Sequence, residues 1–97
     1  MITRIVKLTI KAEEMDTFIN AFNEHKNEIK NFDGCQHLEL LADTSGNGIV
    51  FTYSKWNAES DLENYRNSAL FNSIWTFVKP MFCDKPEAWS TISKFKI

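Results

Sequence analysis

The stretch CQHLELLADTSGNGIVFTYSKW, residues 35–56, decides the fold. From Cys35 to Asp43 apolar and polar residues alternate: Leu38 and Leu40 share one face, and His37, Glu39 and Leu41 the other. Thr44-Ser45-Gly46-Asn47 is a turn cluster. Gly48 to Trp56 is then rich in β-branched and aromatic residues, as strands are. Two alternating runs about one turn predict an antiparallel hairpin. With Asp43 set opposite Gly48, Ile49, Phe51 and Tyr53 join Leu38 and Leu40. Val50, Thr52, Ser54 and Trp56 then join Cys35, His37, Glu39 and Leu41.

Outward from the hairpin, Thr3 to Lys11 alternates as a further strand, with Val6, Leu8 and Ile10 on one side and Ile5, Lys7 and Thr9 on the other. At Ala12 the period changes. Met15, Phe18, Ile19, Phe22 and Ile29 fall at helical spacing, with Glu13, Glu14 and Asp16 at the start and Lys26 and Lys30 at the end, as the helix dipole favours. Asp33-Gly34 stops that helix. After Trp56, Asn57 is placed to cap a helix over Ala58 to Arg66. Ser68 is placed to cap a second piece carrying Leu70, Phe71, Ile74, Trp75 and Val78, which Pro80 ends or kinks. Glu87 to Lys96 alternates as a last strand. The order β-α-β-β-α-β predicts an α+β, ferredoxin-like domain with an antiparallel four-stranded sheet and its helices on one face.

Ninety-seven residues make one domain over 1–97, because two cores of half that size would each be too small to hold together. A hydrophobic fraction of 43% and an aromatic fraction of 13% supply that core and argue against disorder. Net charge is −2, from 11 basic and 13 acidic residues well mixed. There is no basic stripe for nucleic acid and no apolar run of the roughly 20 residues a membrane helix needs. The alternating MITRIVKLTIK start reads as a strand, not a signal peptide. Cys35 and Cys83 stand outside any CxxC or Cys/His cluster, so a bound metal is not expected, and reduced thiols in a cytoplasmic protein are. In the register above neither sheet face is properly polar. One is covered by helices; the simplest cover for the other is a second copy, which predicts a homodimer.

In order and spacing the chain resembles the antibiotic biosynthesis monooxygenase family of the dimeric α/β-barrel superfamily. The resemblance is carried by RIVKLTIKAEEMDTFINAF, by FDGCQHLELLAD and by FTYSKWNAESDLENYRNSALFNSIW. Trp56-Asn57-Ala58-Glu59-Ser60-Asp61-Leu62, followed by Tyr65, Ser68, Leu70 and Phe71, is its most specific part. The resemblance implies a homodimer whose sheets pack face to face into a barrel, with a pocket in each subunit between sheet and helices. It implies oxygenation of a small aromatic, a phenol or quinol, by O2 with no metal or flavin cofactor. The rival reading is a non-catalytic ligand-binding or structural dimer on the same fold. Haem-degrading relatives use an asparagine on the first strand and a histidine in the second helical region. This chain has neither, which argues against an axial iron ligand and haem degradation.

Trp56 matches the family tryptophan that lines the substrate pocket, and is alternatively a core aromatic. His37 is the candidate base for a phenolic proton, alternatively a hydrogen-bonded structural histidine. Ser54, opposite His37 in that register, is a candidate substrate contact. Arg66, with Lys79 beside it as a second option, could stabilise an oxyanion; the plainer reading is a solvated charge on a packed stem. Tyr65 and Tyr53 could orient a substrate hydroxyl, and Asn72 could donate an amide hydrogen bond. His25 reads as a surface residue.

Overall fold

The computed structural model describes residues 1–97. Strand β1 (Ile2–Thr9) leads through a single 3-10 turn at Ala12–Glu14 into helix α1 (Met15–Lys30). The hairpin β2 (Cys35–Ala42) and β3 (Ile49–Trp56) follows, then helices α2 (Glu59–Arg66) and α3 (Ala69–Val78), and strand β4 (Glu87–Thr91). The four strands form one antiparallel sheet in the order β2-β3-β1-β4. That is the ferredoxin-like arrangement, with the second helical region in two pieces.

Local chemistry explains most boundaries. Ser68 divides the second helical region: its Oγ donates to the Tyr65 carbonyl at 2.6 Å and accepts from the Phe71 amide at 3.1 Å. Pro80 sits in a 3-10 turn, Lys79–Met81, that closes α3. The start of α2 differs from expectation. Ala58 occupies the cap position without a side-chain bond, while the Asn57 amide donates to the Gly34 carbonyl at 2.8 Å and ties the strand end to the β2 entry. The last strand is shorter than its alternation suggested. It ends at Thr91, where pairing with β1 ends at Thr3, and 92–97 run on exposed.

The hairpin register corrects the sequence reading by one residue. Asp43 faces Ile49, not Gly48, and its amide donates to the Ile49 carbonyl at 3.0 Å. Gly48 is drawn out of that ladder. It has φ +82°, and its carbonyl accepts from the Ile10 amide at 2.8 Å. A Cβ there would lie 2.6 Å from the Ile10 carbonyl oxygen, so the close approach requires glycine. The loop is held by Asp43, whose carboxylate accepts from the Ser45 amide and the Asn47 side chain, bonds that keep its acid below the usual carboxylate range.

Because side chains alternate, a one-residue slip exchanges the faces of one strand relative to its neighbour. Val50, Thr52, Ser54 and Trp56 pair with Ala42, Leu40, Leu38 and Cys35 and point towards the helices. Ile49, Phe51, Tyr53 and Lys55 share the open face with Leu41, Glu39 and His37. A bulge at Gln36 completes the exchange: Cys35 faces the helices and His37 does not. Every buried strand residue is on the helix side. Core clusters there gather Leu8, Ile10, Phe18, Ala21, Val50, Val78 and Met81 at one end and Cys35, Trp56 and Leu62 at the other. On α1, Phe18 and Ile29 are buried as expected, whereas Ile19 is exposed and Ala21 takes the inner position.

Candidate functional site

Between sheet and helices lies a cavity of about 370 Å³ walled by members of both core clusters. Its sheet side is Arg4, Val6 and Leu8 of β1 with Thr52, Ser54 and Trp56 of β3. Phe18 and Phe22 of α1, Tyr65 and Arg66 of α2, and Phe71 and Trp75 of α3 close it from the helix side. Fourteen of the 19 lining residues are hydrophobic, and Arg4 and Arg66 are the only charged ones, so the space suits an apolar body with one anionic end.

The aromatic wall is one connected stack. Tyr65 lies over Trp56 with ring centres 5.1 Å apart and planes at 26°, and meets Phe32 and Phe71 edge-on at 5.4 and 5.3 Å. Phe71 stacks on Trp75 at 5.7 Å. Trp56 is 1% exposed, and its Nε1 donates to Ser54 Oγ at 3.0 Å, which fixes the indole against the sheet. Trp56 is therefore both core and cavity wall, and Ser54 orients it from the same face of β3. Burial, and secondarily Cys35, push the Tyr65 phenol far above its ordinary range. It remains a neutral hydrogen-bond donor and cannot serve as a base at neutral pH.

Arg4 shares its parity with Val6, Leu8 and Ile10, a guanidinium on the apolar side of a strand. Its Nη1 donates to Ser90 Oγ at 2.9 Å across the β1–β4 pair. Burial first, and then the like charge of Arg66, hold its pKa below the usual arginine value, with Glu63 acting the other way. Arg66 leans 3.8 Å from Glu63 at the surface, a loose pair. Arg4 and Thr52 were not singled out from the sequence. The signal for Arg4 was legible there: a charge in register with three aliphatic residues.

The structure brings Trp56, Ser54, Tyr65 and Arg66 together, and separates His37 from them. His37 lies opposite Lys55, not Ser54, on the open sheet face. Its Nε2 is 2.6 Å from Glu39 Oε1 and its ring meets Tyr53 edge-on at 5.4 Å. A histidine on that side does not reach a molecule held against Trp56, so the placement expected from sequence is corrected by the register. Tyr53 also lies on the open face, under the Lys55 ammonium at 5.7 Å. Lys79 and Asn72 are exposed and off the cavity wall. His25 is half-buried, 3.1 Å from Glu28 Oε1. Both cysteines are unpaired, Cys35 buried and Cys83 exposed, and burial raises the Cys35 thiol. No three His, Cys, Asp or Glu side chains converge as a metal-ligand set, and no helix is long and apolar enough to cross a membrane.

This layout can be set against known proteins. A profile of the antibiotic biosynthesis monooxygenase family matches residues 1–74. The chain belongs to that family. Its matched span holds the aromatic wall from Trp56 to Phe71 and both arginines; Trp75, Val78, Pro86 and Ala88, also on the wall, lie beyond it. Solved structures repeat the family's fold over the whole chain. An antibiotic biosynthesis monooxygenase aligns at TM-score 0.89 and 15% identity, covering 96% of this chain and 98% of its own. A conserved protein of Methanosarcina mazei Go1 aligns at 0.89 and 20%, covering 97% and 94%. Rv0793 of Mycobacterium tuberculosis aligns at 0.88 and 10%, covering 98% and 96%. At these identities the likeness is one of fold. No curated protein matches the chain in sequence.

Proposed function

We propose that this member of the family is a cofactor-independent monooxygenase of a small, flat, electron-rich aromatic, a phenol or quinol. The observation that carries the reading is the cavity, an aromatic-walled space whose only charges are two guanidiniums. Trp56 and Tyr65 hold the ring, Ser54 keeps Trp56 in place, and Arg66 with Arg4 favours the ionised hydroxyl. The aromatic anion is the reductant. A naphthoquinol, for example, takes one atom of O2 into a ring C–H position and becomes a hydroxynaphthoquinone. The other oxygen atom leaves as water with two hydrogens of the substrate, and the substrate supplies all four electrons. With no carboxylate or imidazole on the wall, the arginines act by lowering the hydroxyl's pKa, and its proton leaves to water.

That same lack of a proton acceptor favours a second reading, a ligand-binding protein without chemistry. Oxygen uptake decides between them. With a naphthoquinol the protein is expected to exceed the buffer background and to be insensitive to chelators. A rate equal to background across a panel of phenols and quinols leaves only the binding reading.

The working form in this proposal is a homodimer. Leu41, Phe51, Ile5 and Trp89 form an apolar band on the open face, with Leu41 40% and Trp89 46% exposed. A second sheet laid on that band removes it from water. Two unpaired cysteines fit a reducing compartment such as the cytoplasm.

A further inference from the structure

The two arginines of the cavity are not equivalent, and the difference bears on the ligand. Arg66 is on a helix at the surface, beside Glu63. Arg4 is on the sheet, on the face where every other β1 residue of its parity is aliphatic, and no carboxylate comes within ion-pair distance of it. Its one side-chain hydrogen bond goes to a neutral hydroxyl, Ser90 Oγ at 2.9 Å. A guanidinium has five N–H donors in a planar fork, so one such bond leaves most of them unused. Ser90 therefore orients the fork without neutralising it.

A half-buried cation is ordinarily matched by an anion. Glu63, outside the cavity wall, stands 3.8 Å from Arg66, whereas Arg4 has no anion beside it, so the excess left within the cavity is the one charge of Arg4. That excess matches a monoanion. A carboxylate carries one charge at neutral pH and presents two oxygens in the spacing the guanidinium fork accepts; a phosphate monoester carries close to two. The apolar remainder of the wall, with Trp56, Tyr65 and Phe71 stacked along it, receives a ring attached to that group.

We infer that the cavity's ligand is an aromatic acid, its carboxylate held by Arg4 and its ring against Trp56 and Tyr65, so that Arg4 is a specificity residue. This rests on the cavity being the site for an aromatic ligand, but not on oxygen being consumed there.

The test is binding, measured without oxygen by quenching of tryptophan fluorescence, with a hydroxynaphthoate and its methyl ester as probes. The pair differs in charge and hardly in shape. Wild-type protein is expected to bind the acid about 10–100-fold more tightly than the ester, the range of a charge-assisted hydrogen bond. Arg4→Gln is expected to abolish that preference by weakening the acid alone. Ser90→Ala, on the exposed edge strand, keeps the charge but frees the fork and is expected to reduce the preference a few-fold, which preserves the test if Arg4→Gln does not fold. Equal binding of acid and ester by wild type overturns the inference, as does a preference that survives Arg4→Gln. Acid preference without any oxygen uptake upholds it while removing the monooxygenase reading. Oxygen uptake with neutral phenols, together with equal binding of acid and ester, does the reverse.

Discussion

The two faces of one sheet are made by alternate residues of the same four strands, yet they differ in almost every respect. The helix face carries Val6, Leu8, Val50, Ser54 and Trp56, with one cation among them, and closes over a cavity. The open face carries Ile5, Phe51, Tyr53, Leu41 and Trp89 interleaved with Lys7, Lys55, His37, Glu39 and Glu87, and no element of the chain covers it. The first has its apolar surface satisfied within the chain and its charge unsatisfied. The second has Lys7 paired with Glu87 at 3.6 Å, His37 in contact with Glu39 and Lys55 over the Tyr53 ring, and its apolar surface is unsatisfied. An unsatisfied charge in an apolar hollow calls for a small ligand; an unsatisfied apolar band calls for another protein surface.

Two tryptophans give the largest expected contrast. Trp56→Ala empties a fully enclosed site and strips Ser54 of its indole donor, and is expected to cost about 3–5 kcal/mol in urea unfolding. Trp89→Ala on the open face is expected to leave the stability of an isolated chain within about 0.5 kcal/mol, since it removes an exposed side chain. Equal losses at the two positions would mean that the faces are not distinct.

Next comes the assembly. Sedimentation of the wild type is expected at about twice the chain mass of 11.3 kDa. Phe51→Glu, a charge in the middle of the apolar band, is expected to give the single-chain mass without loss of helix signal. A monomeric wild type breaks the reading of the open face.

A third contrast sets Arg66 against His37. Arg66→Gln is expected to lower naphthoquinol-dependent oxygen uptake at least about tenfold, less than the roughly 10²–10³ of a lost oxyanion donor because Arg4 keeps a charge on the wall. His37→Ala, on the other face, is expected to change it less than twofold. A large loss from His37→Ala would mean that chemistry occurs in the sheet-to-sheet space.

The smallest effect is one of pH. Tyr65 has its folded pKa raised above the ordinary 10.0. The neutral phenol is thus favoured by the fold, and the associated stability is complete below that value and is lost as pH rises beyond it. Unfolding stability is expected to decline above about pH 10, and Tyr65→Phe to flatten the decline. An unchanged slope would place Tyr65 in contact with water.

The sequence by itself determined the elements, their order and the family. Periods of two and of 3.6, glycine and proline punctuation and the Ser68 cap are local properties, written in consecutive residues. It also determined that Trp56, Tyr65 and Arg66 belong near one another, because they sit at the end of a strand and on the helix that follows. What it left to the tertiary structure was the side of the sheet on which each strand residue stands. Alternation shows which residues share a face within a strand; pairing between strands decides which faces coincide. That pairing turned on Gly48, whose carbonyl bonds to Ile10, just past the end of β1 and 38 residues earlier in the chain, instead of to its hairpin partner, and on the bulge at Gln36. Neither is a local preference. The Gly48 bond follows from where β1 lies beside β3 and goes with the register that moved His37 out of the cavity, while the bulge kept Cys35 on the helix side. Arg4 was visible as a charge in an aliphatic register. Only the fold showed that no carboxylate meets it, because the residues that could have done so come from other elements.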